Sequence, residues 1–405
     1  MVVRFFILMF NYSLRTGEID QLAGGTRLNF LLAKEWANNG NEVHLLVARD
    51  SNNIAETHNN LKYVNFKKDA EMHVPTAIKA PWIWFADTIR FIKSFERYIV
   101  NTYSDNVSKQ SVLIAQDPFP PAVLSVFYLS WKLKIPAIIY YHHLYPRFWW
   151  HPRRRGGIVR SIVGFNLSVF ALTLSKIGRI LPAVHQTKFI SESSWKFKWG
   201  TLRDDGYLTQ MPKDGIKNHK SYDACFIGRI NANKGVLDLI DIWSKLVVSR
   251  PSSVLVIAGP SHVREIEQKI KEKIISLHLE NNIVLQLYHH NFDDRNKLLN
   301  QSKLFIFPSY EEGWSLSVME AAMAGTLPVT YDIPAYDYMG EAAIKITVGD
   351  LDLFSSKICE LLDNEEQRIS VLEQIRQNIS NYNLQDIARY QLEKITEFIA
   401  YGHIS

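Results

Sequence analysis

Residues 228–235 of this 405-residue chain read GRINANKG, a loop whose residue types suit the binding of an anion. The loop directly follows the apolar run ACFI and directly precedes a helical pattern. Arg229 and Lys234 would project from it, and their cationic groups donate charge-assisted hydrogen bonds of the kind that hold a diphosphate. Gly235 would open the helix. The motif is not a Walker A loop, because no Ser or Thr follows the lysine. The alternative is a surface loop that merely holds Arg and Lys.

A second motif runs from Glu312 to Glu320, reads EGWSLSVME and follows the apolar run KLFIFP. Glu312 is predicted to lie in a loop and Glu320 on a helix that starts near Ser315. The N–H groups of residues 315–318 would then form a helix N-terminus, which binds anions. Carboxylates beside it would accept hydrogen bonds from sugar or ribose hydroxyls. The alternative is structural, with Glu312 as a capping partner and Glu320 as a solvated residue.

The first half of the chain offers a histidine pair and a glycine pair. His142 and His143 end the apolar run AIIYY, and histidine is both a donor to sugar hydroxyls and a common acid–base group. Adjacent strand residues point to opposite faces and no carboxylate lies nearby in sequence, so we expect no metal site there. Gly24 and Gly25 precede the first helical pattern. They lack the GxGxxG fingerprint but would let a backbone N–H approach a phosphate.

Alternating strand and helix patterns predict the elements that position these residues. Continuous apolar runs are typical of strands buried in a parallel sheet, and amphipathic helical segments separate them in both halves of the chain. The predicted strands are VVRFFILMF, EVHLLVA, SVLIAQ, AIIYY and RILPAV, then ACFIGR, SVLVIAGP, NIVLQL, KLFIFP and LPVT. No pattern assigns residues 50–101. This alternation predicts two α/β domains, and in such sheets ligands bind outside the carboxyl ends of the strands.

Composition narrows the class of protein. Hydrophobic residues make up 47% and charged residues 21%, which excludes a disordered or collagen-like chain. Cys225 and Cys359 are too few for a disulfide framework or a four-cysteine zinc site, and they suit a reduced cytosolic protein. The opening MVVRFFILMF lacks a small-residue cleavage site, so we interpret it as a strand rather than a signal peptide. Ser161–Ser175, the longest uncharged run in the middle of the chain, is too short and polar to span a membrane.

The net charge of +5 conceals a strong asymmetry. No Asp or Glu occurs from Pro118 to Ser191, whereas ten Lys or Arg residues do. The densest part, RFWWHPRRRGG, contains Arg147, Phe148, Trp149, Trp150, Arg153, Arg154 and Arg155. Trp anchors at lipid headgroups and Arg attracts lipid phosphates, so this composition predicts contact with an anionic membrane surface. The alternatives are aromatic residues packed inside a solvated rim of arginines, or another polyanion; we expect no nucleic acid.

The order and spacing of these motifs resemble the retaining nucleotide-sugar glycosyltransferases of family 4. The resemblance spans nearly the whole chain and is clearest in GRINANKG, VLVIAGP, LFIFPSYEEGW and SVMEAAMAGTLPVT. It implies the GT-B fold, an α/β architecture of two Rossmann-like domains whose parallel sheets face each other across a cleft. We predict an acceptor-side domain over 1–212, a donor domain over 213–384, and a helix over 385–405 that crosses back to the first domain.

The resemblance implies a role for each matching residue. Arg229 and Lys234 would grip the donor diphosphate, while Glu312 would contact the transferred sugar and Glu320 the ribose. Gly25 would approach the phosphate from the first domain, and His142 would contact the sugar, with His143 where the family often has Asp. The implied donor-binding set is Gly25, Gly228, Arg229, Lys234, Glu312, Gly313, Trp314, Ser315, Leu316, Ser317 and Glu320. The implied catalytic set is His142, Arg229, Lys234 and Glu312.

The second motif departs from the family pattern. The usual EGFGLP is EGWSLS here, so Ser315 replaces Gly and Ser317 replaces Pro. Both suit a helix start, but Ser315 narrows the space near the sugar and leaves the identity of that sugar open.

Together these inferences predict transfer of a sugar from a UDP- or GDP-linked donor to an acceptor hydroxyl, with retention of configuration. No metal or other cofactor is expected. The acceptor would be lipid-linked or membrane-associated, and the enzyme would be cytoplasmic and peripheral at the inner face of the membrane. Two alternatives stay open. One is a nucleotide-sugar epimerase or phosphorylase on the same fold. The other is a non-catalytic membrane- or polyanion-binding protein with a vestigial donor site.

Overall fold

The computed structural model describes most of the chain. The described residues are 2–9, 24–47, 59–66, 81–103, 110–116, 120–141, 166, 169–184, 197, 201–203, 220–261, 264–287, 292–333, 335–336, 341–380 and 382–403. They fall into two compact units. Unit 1 lies within Met1–Phe148, Ile162–Tyr207 and Leu384–Ser405, and unit 2 within Leu208–Asn383.

Unit 1 is built on a parallel sheet. Its strands are β1 (Arg4–Met9), β2 (Glu42–Val47), β3 (Leu61–Asn65), β4 (Ser111–Ala115), β5 (Ala137–Tyr141), β6 (Ile180–Val184) and β7 (Leu202–Arg203). They are hydrogen-bonded in the order β3-β2-β1-β4-β5-β6-β7. Its helices are α1 (Gly24–Asn38), α2 (Pro81–Tyr103), α3 (Pro120–Leu133) and α4 (169–177). The side chains of β4 and β5 are all buried, which explains their continuous apolar sequences.

Unit 2 repeats this design with its own sheet. Its strands are β8 (Tyr222–Ile227), β9 (Leu255–Ala258), β10 (Ile283–Gln286), β11 (Ser302–Phe307), β12 (Leu327–Tyr331) and β13 (Ile344–Ile346). Its helices are α5 (Val236–Ser249), α6 (Arg264–Ser276), α7 (Phe292–Asn300), α8 (Leu316–Met323), α9 (Leu351–Asp363) and α10 (Glu365–Ile379). The parallel strands follow the order β10-β9-β8-β11-β12-β13.

Both sheets place their third, second, first, fourth, fifth and sixth strands side by side in that order, which is the Rossmann arrangement. The direction of winding reverses between β1 and β4 in unit 1, and between β8 and β11 in unit 2. At such a switch point the flanking loops diverge to opposite faces of the sheet and leave a crevice at the carboxyl ends of the strands. The motifs GRINANKG and SYEEGW follow β8 and β11, so both border the switch point of unit 2.

A final helix, α11 (Leu384–Tyr401), belongs to unit 1 although it follows unit 2 in sequence. The indole N–H of Trp36 on α1 donates to the carbonyl of Ala388, 3.2 Å away, and the hydroxyl of Tyr140 on β5 donates to Oε1 of Gln391, 2.8 Å away. Ile395 and Phe398 are fully buried on the same helix. Packing against both α1 and the sheet therefore fixes α11.

Most of the predicted elements agree with the structure, and the differences lie at the start of the first helix and in segments that no pattern assigned. The opening apolar run forms the central strand β1, as predicted. The first helix begins at Gly24, so Gly24 and Gly25 lie in its first turn rather than in a preceding loop. Residues 50–101, which no pattern assigned, contain β3 and most of α2. The sequence patterns also missed the helices α7, α9 and α10 and the strands β7 and β13. No helix in the described part of the chain is long and apolar enough to cross a membrane.

Candidate active site

The loop after β8 is fixed by backbone contacts on both sides. The Gly228 N–H donates to the carbonyl of Ala258 at the end of β9 (3.0 Å), and the Ile230 N–H donates to that of Pro260 (2.9 Å). The loop then forms a 3-10 turn over Ala232–Lys234, whose N-cap Asn231 accepts a hydrogen bond from the Lys234 N–H through its side chain (3.1 Å). These bonds determine where Lys234 leaves the loop.

The loop after β11 packs directly on this turn. The Asn233 carbonyl accepts hydrogen bonds from the Tyr310 N–H (2.8 Å) and the Ser309 hydroxyl (3.3 Å). Gly235 has a left-handed backbone (φ 66°), and a Cβ there would lie 1.9 Å from the carbonyl oxygen of Pro308. Only glycine permits this approach, so the two loops meet backbone to backbone.

Lys234 and Glu312 form an ion pair across the two loops. The Lys234 ammonium contacts Oε1 of Glu312, and the two side chains are only 15% and 6% exposed. The ammonium also lies 5.3 Å from the centre of the Phe307 ring, a cation–π distance. The structure thus brings together the cation and the carboxylate that sequence motifs 78 residues apart proposed for one site.

Beside this pair, Glu311 is a carboxyl group that the sequence analysis did not select. Its Oε2 accepts a hydrogen bond from the Asn233 amide, 3.1 Å away. Burial, and then the negative charge of neighbouring Glu312, raise the pKa of Glu311 to about 7. The site therefore contains a second carboxyl that changes charge near neutral pH. The doublet Glu311-Glu312 is visible in the sequence, but the burial that raises the pKa of Glu311 is not.

A half-buried aspartate on α5 holds the same loop. Asp238, in the first turn of α5, accepts hydrogen bonds from the hydroxyls of Tyr310 and Tyr331, the latter at 2.7 Å. Burial, followed by the charge of Asp238, raises the pKa of Tyr331. Tyr331 ends β12, so this cluster ties the loop after β11 to its neighbouring strand. Sequence reasoning missed these residues because they lie far apart in the chain.

The second motif leads into α8, as predicted. Ser315 is its N-cap residue, and its carbonyl accepts hydrogen bonds from the N–H groups of Val318 (3.2 Å) and Met319 (3.3 Å). The Val318 N–H, expected to face an anion, is therefore engaged inside the helix. Gly313, Trp314, Ser315 and Leu316 are buried, and Ser317 is half-buried.

The sequence left two interpretations of Glu320 open, a ribose-binding carboxylate and a solvated residue, and the structure excludes the second. Glu320 is only 7% exposed, so the alternative of a solvated residue is wrong. Its Oε1 lies 3.5 Å from the guanidinium of Arg295 on α7, and this ion pair fixes the carboxylate on the inner side of α8. The sequence did not indicate Arg295, because α7 was not predicted.

The other predicted site residues are not part of this cluster. Arg229 belongs to the same loop as Lys234 but is exposed, and it forms no ion pair with another described residue. Gly25 lies in unit 1, in the first turn of α1. His142 and His143 lie outside the described residues, as do Arg147, Phe148, Trp149, Trp150, Arg153, Arg154 and Arg155. The described residues near the switch point of unit 2 thus include the cations Lys234 and Arg229, the N-terminus of α8, and the carboxyls of Glu311, Glu312 and Glu320.

Comparison with solved structures identifies the fold class. Over 98% of this chain and 100% of the other, the structure resembles HepE from Anabaena in complex with UDP and glucose, with a TM-score of 0.69 and 13% identity. A likeness at this identity concerns the fold alone. Two Rossmann-type units with this likeness define a GT-B glycosyltransferase fold, and the predicted fold class is confirmed.

Two family models then identify the family. The model described as "Glycosyltransferase Family 4" matches residues 22–171, and the one described as "Glycosyl transferases group 1" matches residues 209–380. The two matches cover most of units 1 and 2 respectively. The chain belongs to the family-4 glycosyltransferases, as its motifs predicted.

Curated relatives match shorter stretches. The poly(glycerol-phosphate) alpha-glucosyltransferase of Bacillus subtilis is 34% identical over 119 residues, which cover 29% of this chain and 16% of that protein. The capsular polysaccharide biosynthesis glycosyltransferase CapM of Staphylococcus aureus is 26% identical over 174 residues, 42% of this chain and 44% of that protein. The chain therefore matches less than half the length of either relative.

Proposed function

We propose that this protein transfers a sugar from a nucleoside-diphosphate sugar to an acceptor hydroxyl, with retention at the anomeric carbon. The bond from the anomeric carbon to the diphosphate breaks and a bond to the acceptor oxygen forms. The acceptor hydroxyl gives up its proton to the departing nucleoside diphosphate, which carries the bonding electron pair away. Retention rests on the family resemblance.

The observation that carries this proposal is the meeting of Lys234 and Glu312 at the switch point of unit 2. Parallel α/β sheets bind ligands at their switch points. At this point Lys234 offers a cation for the diphosphate, and Glu312 offers a carboxylate for the sugar hydroxyls. Both side chains are largely shielded from solvent, so their interactions with a ligand would be stronger than those of surface groups.

In this mechanism Lys234, Arg229 and the N-terminus of α8 stabilise the charge that develops on the departing diphosphate. The exposed Arg229 would close onto the phosphates, while the fixed Lys234 would already be in place. Glu312 would accept a hydrogen bond from the transferred sugar and Glu320 one from the ribose. The family resemblance also implies that His142 contacts the transferred sugar and that Gly25 approaches the donor phosphate.

We propose that no metal takes part, because these cations can supply the charge that a divalent ion would supply. Dialysis against EDTA should leave the transfer rate unchanged. A loss of activity that added magnesium or manganese restores would contradict this proposal.

The donor is proposed to carry UDP or GDP. The HepE structure contains UDP and glucose, which makes UDP-glucose the first donor to assay. The acceptor is proposed to be a lipid-linked or membrane-associated glycan, since the matched relatives are named for transfer to poly(glycerol phosphate) and for capsule biosynthesis. A cytoplasmic enzyme, peripheral at the inner membrane face and attached through Arg147–Arg155, would fit the acid-free segment.

The test is thermal unfolding with excess UDP, GDP, ADP or TDP. A ligand at about 100 times its Kd stabilises the folded state by roughly 2.7 kcal/mol, enough to raise the Tm measurably. One nucleotide should raise the Tm of the wild type but not that of the Arg229→Ala, Lys234→Ala double variant.

Lys303→Ala is the matched control, because Lys303 pairs with Asp223 between the same two strands at their amino ends (2.8 Å). It should keep the nucleotide effect. If no nucleotide raises the Tm of the folded wild type, the donor site is refuted. An assay for epimerised donor and for phosphate-dependent cleavage separates transfer from the two enzymatic alternatives.

A further inference from the structure

The helix α3 presents apolar side chains to solvent. Its two serines point inward: the Ser125 hydroxyl donates to the carbonyl of Pro121 and the Ser130 hydroxyl to that of Ile135, each at 2.6 Å. On the opposite stripe Phe127 and Tyr128 are half-buried against the core of unit 1, whereas Trp131 is exposed. A soluble helix usually carries a polar residue at such a solvent-facing position. The exposed indole of Trp131 therefore marks this end of α3 as part of a contact surface.

The neighbouring helix α4 extends this apolar surface. A Cβ at Gly178, directly after α4, would lie 3.2 Å from the ring of Phe127, so the end of α4 abuts α3. Phe170 and Ile177 are exposed and two turns apart on one face of α4. Trp131 is 76% and Ile177 70% exposed, which is far from the burial that residues of this kind normally have.

Basic side chains surround these apolar groups. Lys132, Lys134 and Lys176 are exposed on the same two helices and the turn after α3. Lys132 pairs with Glu96 of α2 at 2.6 Å, and the guanidinium of Arg179 lies 5.8 Å from the Phe398 ring. Both helices belong to the stretch from Pro118 to Ser191 that contains no acidic residue.

We propose that this α3–α4 surface, formed by Trp131, Phe170 and Ile177 with Lys132, Lys134 and Lys176, docks the protein on an anionic lipid bilayer. The aromatic and aliphatic groups enter the headgroup region while the lysines contact lipid phosphates. A second copy of the chain is the poorer occupant, because a two-fold interface would bring the same lysines together. The surface lies on different residues from the Arg147–Arg155 segment and does not depend on the donor site.

The test measures co-sedimentation of the full chain with vesicles of phosphatidylglycerol and phosphatidylcholine, against phosphatidylcholine alone. The wild type should bind the anionic vesicles preferentially. The Trp131→Ser, Ile177→Ser double variant should bind at least about tenfold more weakly. Lys134→Asn with Lys176→Gln should weaken binding about fivefold per lysine and make it less sensitive to salt.

The matched control is Val248→Ser with Ile275→Ser, which removes two apolar side chains of unit 2 that are 83% and 60% exposed. This variant should bind like the wild type. All variants should keep the nucleotide-induced rise in Tm, so that failure of docking and failure of the donor site are distinguishable. The proposal is overturned if the Trp131→Ser, Ile177→Ser variant binds anionic vesicles as strongly as the wild type does. It is also overturned if the wild type is a dimer and this variant is a monomer.

Discussion

Lys234 and Glu312 form a shielded ion pair that joins the loops after β8 and β11, the two strands between which the winding of unit 2 reverses. Each residue positions the other, and both lie where a ligand of this sheet would bind. A buried ion pair adds little net stability, but removal of one partner leaves an uncompensated charge. The pair is therefore suited to holding charges in place for a ligand.

The first prediction concerns this pair. Lys234→Ala should reduce turnover by about 10²–10³, the usual effect of losing one donor to a developing negative charge. It should also lower the Tm, because Glu312 stays behind without its cation. Glu312→Gln should also reduce turnover and lower the Tm, because the Lys234 ammonium then lacks its counter-charge. The loss of Tm should be smaller than for Lys234→Ala, since the glutamine amide oxygen can still accept a hydrogen bond from the ammonium. Steady-state kinetics and calorimetry measure both effects.

The control for this prediction is Lys303→Ala, which breaks the ion pair at the opposite end of the same strands. It should lower the Tm slightly and leave turnover near that of the wild type. If Lys303→Ala reduces turnover as much as Lys234→Ala does, the effect is general destabilisation and the role of Lys234 is refuted.

The second prediction concerns the contact between the two loops. Gly235→Ala combines an unfavourable left-handed backbone, which costs about 1–2 kcal/mol, with a Cβ that would collide with the Pro308 carbonyl. Gly40→Ala isolates the first cost, because Gly40 is also left-handed (φ 81°) but a Cβ added there would meet no atom within 4 Å. Urea unfolding should show a clearly larger loss for Gly235→Ala, and only that variant should lose the nucleotide-induced rise in Tm. Equal losses would contradict the close approach.

The sequence predicted the strands that carry the site because buried parallel strands are continuous apolar runs. It failed for β3 and α2, although Phe91, Phe95 and Ile99 recur at helical spacing and are all buried in the structure. In that stretch aromatic and charged residues are so closely interspersed that neither the helical nor the strand period of apolar residues stands out.

The site was partly predictable for a similar reason. Lys234 and Glu312 stand in local motifs, whereas Asn233, Asp238 and Arg295 acquire their roles only through partners in other loops and helices. The strand order that brings the loops after β8 and β11 together is a tertiary property. Local sequence patterns do not contain it.

The third prediction is a pH dependence that originates at Glu311. Its pKa is about 7 in the folded protein, against 4.5 for an ordinary glutamate. Between these pH values the folded state keeps a proton that the unfolded state has lost, so the free energy of unfolding falls as pH rises from 4.5 to 7. Glu311→Gln cannot titrate and should remove this decline. Its Tm relative to the wild type should therefore be higher at pH 8 than at pH 5.

Glu265→Gln is the control for the pH experiment, because Glu265 is exposed in the first turn of α6. Its Tm difference from the wild type should not vary with pH as that of Glu311→Gln does. A flat difference for Glu311→Gln across the same range would show that Glu311 is ionised at pH 5 in the folded protein.

The fourth prediction tests whether α11 docks on unit 1 through the buried contact between Tyr140 and Gln391. Both residues are fully buried and their side chains are 2.8 Å apart. Tyr140→Phe and Gln391→Leu should each cost about 1–3 kcal/mol of unfolding free energy, because each leaves a buried polar partner behind. The double variant should cost less than the sum of the two single losses, since both polar groups are then gone.

Tyr141 provides the control. It points to the opposite face of β5 and pairs with Ser175, so Tyr141→Phe should combine additively with Gln391→Leu. Additive losses for Tyr140 and Gln391 as well would mean that α11 does not occupy this position in solution.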